Sequence, residues 1–209
     1  LRGIREAPQV QDGNGVGAAE GRGFYSMPYA PCSLHEFTMF KNIILTGFMG
    51  TGKTSVGTRL AKELGYSFVD SDELIEADQG MTIAGIFEKR GEPGFRDVET
   101  KIIRQIMEGD GQVVSTGGGA VIRDANREAF KKGGLTVCLT ARPEVIYGRI
   151  RHETHRPLLQ VADPLAKIRE LLDSREKFYR QADIIIDTSE KTVEAVINEI
   201  KEKFRYARC

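Results

Sequence analysis

The sequence predicts an α/β domain, a parallel sheet with helices on both faces, and three observations carry that prediction. The run Gly47-Phe48-Met49-Gly50-Thr51-Gly52-Lys53-Thr54 fits the phosphate-loop pattern G-x-x-x-x-G-K-[ST] and directly follows the apolar stretch Ile43-Ile44-Leu45. Short segments that are apolar throughout, rather than alternating, recur along the chain, as strands buried on both faces must. Stretches of helical periodicity separate these segments, as expected where helices cover a parallel sheet.

Composition narrows the class further. At 209 residues and 23.2 kDa, with 40% hydrophobic and 29% charged residues, the chain can bury one real core. Lys+Arg and Asp+Glu are both 30, so no net field points to a nucleic-acid or membrane-surface partner. No apolar stretch approaches the roughly 20 residues of a membrane helix. Cys32, Cys138 and Cys209 show neither metal-ligand nor paired spacing, which predicts a reduced, cytoplasmic protein. Residues 1–38 are rich in glycine and proline and lack apolar periodicity, so they read as a disordered leader. Their acids Glu6, Asp12, Glu20 and Glu36 argue against a transit peptide. Met39, standing just before the first strand, also permits an over-extended start.

From residue 39 to 209 the elements follow in order. The loop is succeeded by a helix on which Val56, Leu60 and Leu64 share one face. Tyr66 to Asp70 reads as a second strand and Asp72 to Asp78 as a short helix. Two helices, Thr82 to Arg90 and Arg96 to Glu108, are separated by Gly91-Glu92-Pro93-Gly94, which carries strong helix breakers. Gln112 to Thr116 is the third strand and runs into Gly117-Gly118-Gly119. Asp124 to Lys132 is helical, Leu135 to Leu139 is the fourth strand, and Pro143 opens a helix to Arg151. A polar loop over about 152–163 precedes a long helix from Pro164 to Arg180. Ile184 to Ile186 is the last strand, and Thr192 to Phe204 closes the chain as an amphipathic helix.

The phosphate loop implies a nucleoside triphosphate, held by backbone N–H groups of a glycine-rich turn and by the positive end of the following helix. Gly50, Thr51, Gly52 and Ser55 belong to that cradle. Lys53 would reach the β- and γ-phosphates, and the Thr54 hydroxyl would sit on Mg²⁺. Beside it, Asp70 and Asp72 at the end of an extended segment would face the same way, one toward the metal and one toward an attacking hydroxyl. The plainer role for this segment is helix capping, by Ser71 or Asp72. Arg96 and Glu99, three apart on a helix, form either a surface ion pair or a guanidinium braced to bind a carboxylate. The glycine triplet allows close backbone approach of a ligand, or is simply a turn. Arg149, Arg151, His152, His155 and Arg156 gather around the polar loop, which is either solvated or a lid that brings an arginine to the γ-phosphate. His152 and His155 lack the companions a metal site needs.

Taken together, these motifs, with Phe68-Val69-Asp70-Ser71-Asp72, Gly91-Glu92 with Phe95-Arg96 and Glu99, Arg156-Pro157-Leu158-Leu159, and Arg175 with Tyr179-Arg180, resemble the shikimate kinases in order and spacing over residues 41–200. The resemblance implies a five-stranded parallel sheet in the order 2-3-1-4-5 and a monomeric enzyme using Mg²⁺ and ATP. It implies transfer of a phosphoryl group to the 3-hydroxyl of shikimate, with Lys53, Asp72 and Arg156 as catalytic residues. Arg96 and Arg175 would hold the shikimate carboxylate, and Asp72, Gly118 and Gly119 would line the rest of its site. Glu99 would brace Arg96, Asp70 and Thr54 would serve the metal, Arg149 would pack on adenine, and Lys191 would border it. Gluconate kinases and nucleotide kinases of the same fold are the nearest alternatives. A non-enzymatic nucleotide switch is disfavoured, since no Asp-x-x-Gly follows the loop and no Asn-Lys-x-Asp occurs.

Overall fold

The computed structural model describes residues 41–152 and 161–206. The expectations for residues 1–38, for His155 and Arg156, and for most of the proposed lid lie outside these residues. The elements are β1 (Asn42–Thr46), α1 (Lys53–Leu64), β2 (Ser67–Asp70), α2 (Ser71–Gln79), α3 (Ile83–Glu108) and β3 (Gln112–Ser115), then a 3₁₀ turn (Ala120–Ile122). They continue with α4 (Asp124–Gly133), β4 (Gly134–Thr140), α5 (Pro143–Ile150), α6 (Pro164–Tyr179), β5 (Ile184–Asp187) and α7 (Val193–Tyr206). Every strand lies within two residues of the segment read from the sequence.

The five strands form one sheet in the order β2-β3-β1-β4-β5, and each neighbouring pair is parallel. The apolar runs explain why. In β1, Ile43 and Leu45 pack toward Val56, Leu60 and Ile197 of α1 and α7, while Ile44 packs on the opposite side with Ile103, Phe130 and Tyr179. Successive side chains of a strand point to opposite faces, so a strand without polar alternation needs cover on both. At the other end of β1, Asn42 is fully buried and makes up for the ladder's end. Its amide donates to the carbonyls of Gly109 and Gly133, and its oxygen accepts from the Gln112 N–H.

The largest departure from the sequence reading lies in α3. The segment Gly91–Gly94 is not a linker between two helices. The helical runs abut at a kink confined to Gly91, whose φ of 65° only glycine adopts without strain. Pro93 falls in the first turn of the second run, where its missing N–H costs nothing. As a result Glu92 lies on the same helical run as Arg96 and one turn from it.

Candidate active site

All five strands run the same way, so their carboxyl ends converge, and a cleft of about 330 Å³ opens there. It is lined by Met49 to Gly50 and Gly52 to Ser55 of the phosphate loop, by Asp70 and Asp72, and by Ser115 to Gly118. The loop follows β1 and caps α1 with Gly52 in the left-handed region. Gly47 has a φ of 127° and lies so close to β4 that a Cβ there would fall on the Leu139 carbonyl. The Thr51 hydroxyl donates to the Phe48 carbonyl at 2.8 Å, and Lys53 Nζ donates to the carbonyls of Gly47 and Phe48, each at 3.0 Å. The ammonium is thus held over the mouth of the loop.

Asp70 and Asp72 share the cleft, although not as an extended pair. β2 ends at Asp70, and Asp70 rather than Ser71 or Asp72 caps α2, accepting from the Asp72 N–H at 3.0 Å. Asp72 therefore projects from the first helical turn. Ser71 is fully buried, and its hydroxyl accepts from the Gly117 N–H at 3.2 Å, which ties the start of α2 to the glycine triplet.

Two glycines of that triplet have a steric reason. A Cβ on Gly117 would stand 2.8 Å from Asp72 Oδ1 and 3.3 Å from Glu99 Oε1, and on Gly119 it would strike the Arg96 guanidinium. On Gly118 it would make only ordinary contact with Met49 and Gly47 of the phosphate loop. The triplet's carbonyls are engaged by the Ala120 N–H, the Tyr179 hydroxyl and the Ile122 N–H in turn. With the Gly117 N–H given to Ser71, the amides of Gly118 and Gly119 are the donors it can offer a ligand.

Arg96 is no surface ion pair. It is 9% exposed, and Nη1 donates to Glu99 Oε2 at 2.8 Å, while Nη2 and Nε reach Glu92 Oε1 at 3.1 and 3.3 Å. Burial alone would lower its pKa, but the charges and hydrogen bonds of Glu99 and Glu92 outweigh that and raise it. Glu99 is 1% exposed, and burial raises its pKa, against the pull of Arg96 and with the help of nearby Asp72. Its Oε1 is buried without a hydrogen-bond partner among the described residues.

From α6 comes Arg175, whose guanidinium lies 5.6 Å over the ring of Phe48 in the phosphate loop. Arg149 of α5 donates to the Gly50 carbonyl at 3.1 Å and to Thr188 through both its hydroxyl and its carbonyl. The Thr188 hydroxyl reaches the carbonyls of Thr51 and Thr140, so it fastens Arg149 to the loop. Lys191 pairs its ammonium with Glu199 of α7, and like Thr51, Arg96, Gly119, Arg149 and Arg175 it is not among the residues that line the cleft. Glu92, Ser71 and Tyr179 stand in the motifs of the sequence without a role of their own there, and Thr188 stands in none.

No group of three or more His, Cys, Asp or Glu able to hold an ion occurs among the described residues. The cleft offers oxygen instead, from the Thr54 hydroxyl and the Asp70 and Asp72 carboxylates. That set fits a hard divalent cation which completes its shell with water and phosphate, not a metal bound by nitrogen or sulfur.

A phosphate loop at the carboxyl edge of a 2-3-1-4-5 parallel sheet, facing a carboxylate and a buried guanidinium, belongs to the P-loop kinases of small molecules. Comparison with known proteins narrows the class. A family model described as shikimate kinase matches residues 49–205. The chain is 50% identical over 164 residues to a shikimate kinase of Thermodesulfovibrio yellowstonii, covering 78% of this chain and 95% of that one. It is 49% identical to one of Caldanaerobacter subterraneus over 160 residues, 77% of this chain and 94% of the relative. Among solved structures, shikimate kinase from Acinetobacter baumannii in complex with shikimate superposes with a TM-score of 0.78 at 39% identity, covering 84% of this chain and 98% of that one. A gluconokinase from Sinorhizobium meliloti has a TM-score of 0.51 at 18% identity, which speaks to the fold alone. The chain belongs to the shikimate kinase family.

Proposed function

We propose that this chain transfers the γ-phosphoryl group of ATP to the 3-hydroxyl of shikimate. The observation that carries the substrate side is Arg96, buried against Gly119, next in the chain to the cleft-lining Gly118, and braced by Glu99 and Glu92. A planar guanidinium fixed at both sides is suited to a carboxylate, which accepts two parallel hydrogen bonds. Arg175 supports it from α6, and the amides of Gly118 and Gly119 face the hydroxyl-bearing part of the ligand. These four groups also give the reading its preference over a nucleotide acceptor.

The phosphoryl side follows from general chemistry. Transfer asks mostly for alignment and for neutralisation of charge spread over the phosphoryl oxygens. Lys53 supplies a fixed positive charge at the loop, and the loop amides supply the rest. Asp72 accepts the hydrogen of the attacking hydroxyl and orients it toward the phosphorus. A divalent cation, which we take to be Mg²⁺, would be held by Thr54 and Asp70 and would neutralise charge on the nucleotide's phosphates. Arg149 would bear on the adenine, and Lys191 would border it. Arg156 is the arginine proposed to approach the γ-phosphate, on the strength of its motif. We further propose a monomer acting in the cytoplasm, as the resemblance implies. Among the described residues no helix is long and apolar enough to cross a membrane.

The deciding experiment measures ADP formation from Mg-ATP with shikimate, gluconate or nucleoside monophosphates in turn. Shikimate alone should raise the rate above the ATP-only background. No rise with shikimate would end this reading, and a rise with gluconate instead would move the chain to the alternative acceptor.

A further inference from the structure

Tyr179, the last residue of α6, does more than packing requires. Its ring belongs to the core shared by Ile44, Phe130 and Cys138, and the residue is 6% exposed. A core position of that kind asks only for the ring. The hydroxyl nevertheless donates a 2.7 Å hydrogen bond to the Gly118 carbonyl, 61 positions away. Arg175 stands one turn earlier on the same helix, its guanidinium over the ring of Phe48 in the phosphate loop. Gly118 itself lines the phosphate cleft.

We infer that Tyr179 is a positioning residue for the acceptor substrate: its hydroxyl ties α6, the helix that carries Arg175, to the Gly118 backbone, keeping the carboxylate-binding and hydroxyl-binding parts of the site in register. The inference rests on the functional reading, since it assigns those two parts to one ligand. Burial pushes the phenol's pKa up to about 12, against the opposing pull of Arg175, so the group stays a neutral donor at working pH. Without the hydroxyl, the Gly118 carbonyl loses its side-chain partner and α6 loses its tie to the glycine triplet. Each half of the site remains, but their relative placement loosens.

Tyr179→Phe tests this, because it keeps the ring and removes only the oxygen. The expected result is a rise of about five- to thirtyfold in KM for shikimate, the range for one lost buried hydrogen bond. KM for Mg-ATP should stay near wild type, and the melting temperature should fall by a few degrees at most, as for one lost buried hydrogen bond. Phe178→Leu is the control: it loosens the same end of α6 without touching the hydroxyl, and should lower the melting temperature while leaving the shikimate KM alone. In a double-mutant cycle, Arg175→Lys should cost less in the Tyr179→Phe background than in the wild type. An unchanged shikimate KM in Tyr179→Phe, an equal rise for both substrates, or the same selective rise in Phe178→Leu overturns the inference. A wild-type chain without shikimate-dependent ADP formation overturns the functional reading, and this inference with it. An active wild type beside an indifferent Tyr179→Phe overturns this inference alone.

Discussion

The Arg96 guanidinium lies against the Cα of Gly119, so closely that a methyl group there would stand 2.7 Å from Nη1 and nearer still to Nη2. The glycine has ordinary backbone geometry, with φ near −100°, so its role is room and not conformational freedom. Gly119→Ala should therefore leave the fold nearly intact, at a cost of about 1 kcal/mol or less, because the end of a side chain can yield. The guanidinium would be displaced from Glu99 and Glu92. We expect kcat/KM for shikimate to fall by about ten- to a hundredfold, the loss of a charge-assisted pair, with KM for ATP unchanged. Steady-state kinetics beside thermal melting checks both halves.

Asp72→Asn keeps the shape of the residue and removes its basicity. Turnover should fall by about 10²- to 10⁴-fold, the usual worth of a positioned general base. ATP binding, measured by calorimetry, should be nearly unaffected. A mutant with a near-normal rate would remove Asp72 from the chemistry.

Glu99 sets up a pH effect whose sign is opposite to that of most carboxylates. Burial raises its pKa above the usual 4.5, so folding favours the protonated form. The stability this contributes is fully present below pH 4.5 and is lost as the pH rises through the folded-state value. Glu99→Gln removes that dependence. Urea unfolding of both proteins from pH 4 to 8 should show the wild type gaining relative to the variant as the pH falls. Catalysis should move separately: without its main counter-charge Arg96 is left with Glu92, and KM for shikimate should rise.

Thr188→Val removes the hydroxyl that fastens Arg149 to the phosphate loop while conserving volume. KM for ATP should rise about three- to tenfold, as for one or two neutral hydrogen bonds, and KM for shikimate should not change. This is the converse of the result expected for Gly119→Ala, so the two variants together separate the nucleotide and acceptor sides of the cleft.

Gly47→Ala should fail earlier, in folding. A Cβ there would overlap the Leu139 carbonyl, which is part of β4 and cannot swing away, and φ of 127° is strained for alanine. A loss of about 3 kcal/mol or more is expected, from strain and overlap combined, visible as a collapse of the melting temperature even without ligand.

The phosphate loop was legible because everything it needs is contiguous: glycines that permit its turn, a lysine, a hydroxyl and an adjoining helix. Doubly covered strands were legible from uninterrupted apolar runs, and Arg96 with Glu99 from helical spacing. The kink at Gly91 was read as a wider break, because two glycines and a proline within four residues resemble a linker. That hid the second partner of Arg96.

Local chemistry thus determined what this chain handles: a triphosphate at a turn whose backbone geometry follows from neighbouring residues, and an acid, a guanidinium and a glycine triplet placed near strand ends. Tertiary structure alone decided which of these groups meet. A tyrosine at the end of one helix and a buried serine stand in recognisable motifs, and a threonine follows the last strand, but nothing local says which groups their hydroxyls meet. They become parts of the site because the strand order 2-3-1-4-5 brings α6 against the glycine triplet and the end of β5 against the phosphate loop. A hydrogen bond between groups 61 or 137 positions apart is a property of that packing, and no local pattern encodes it.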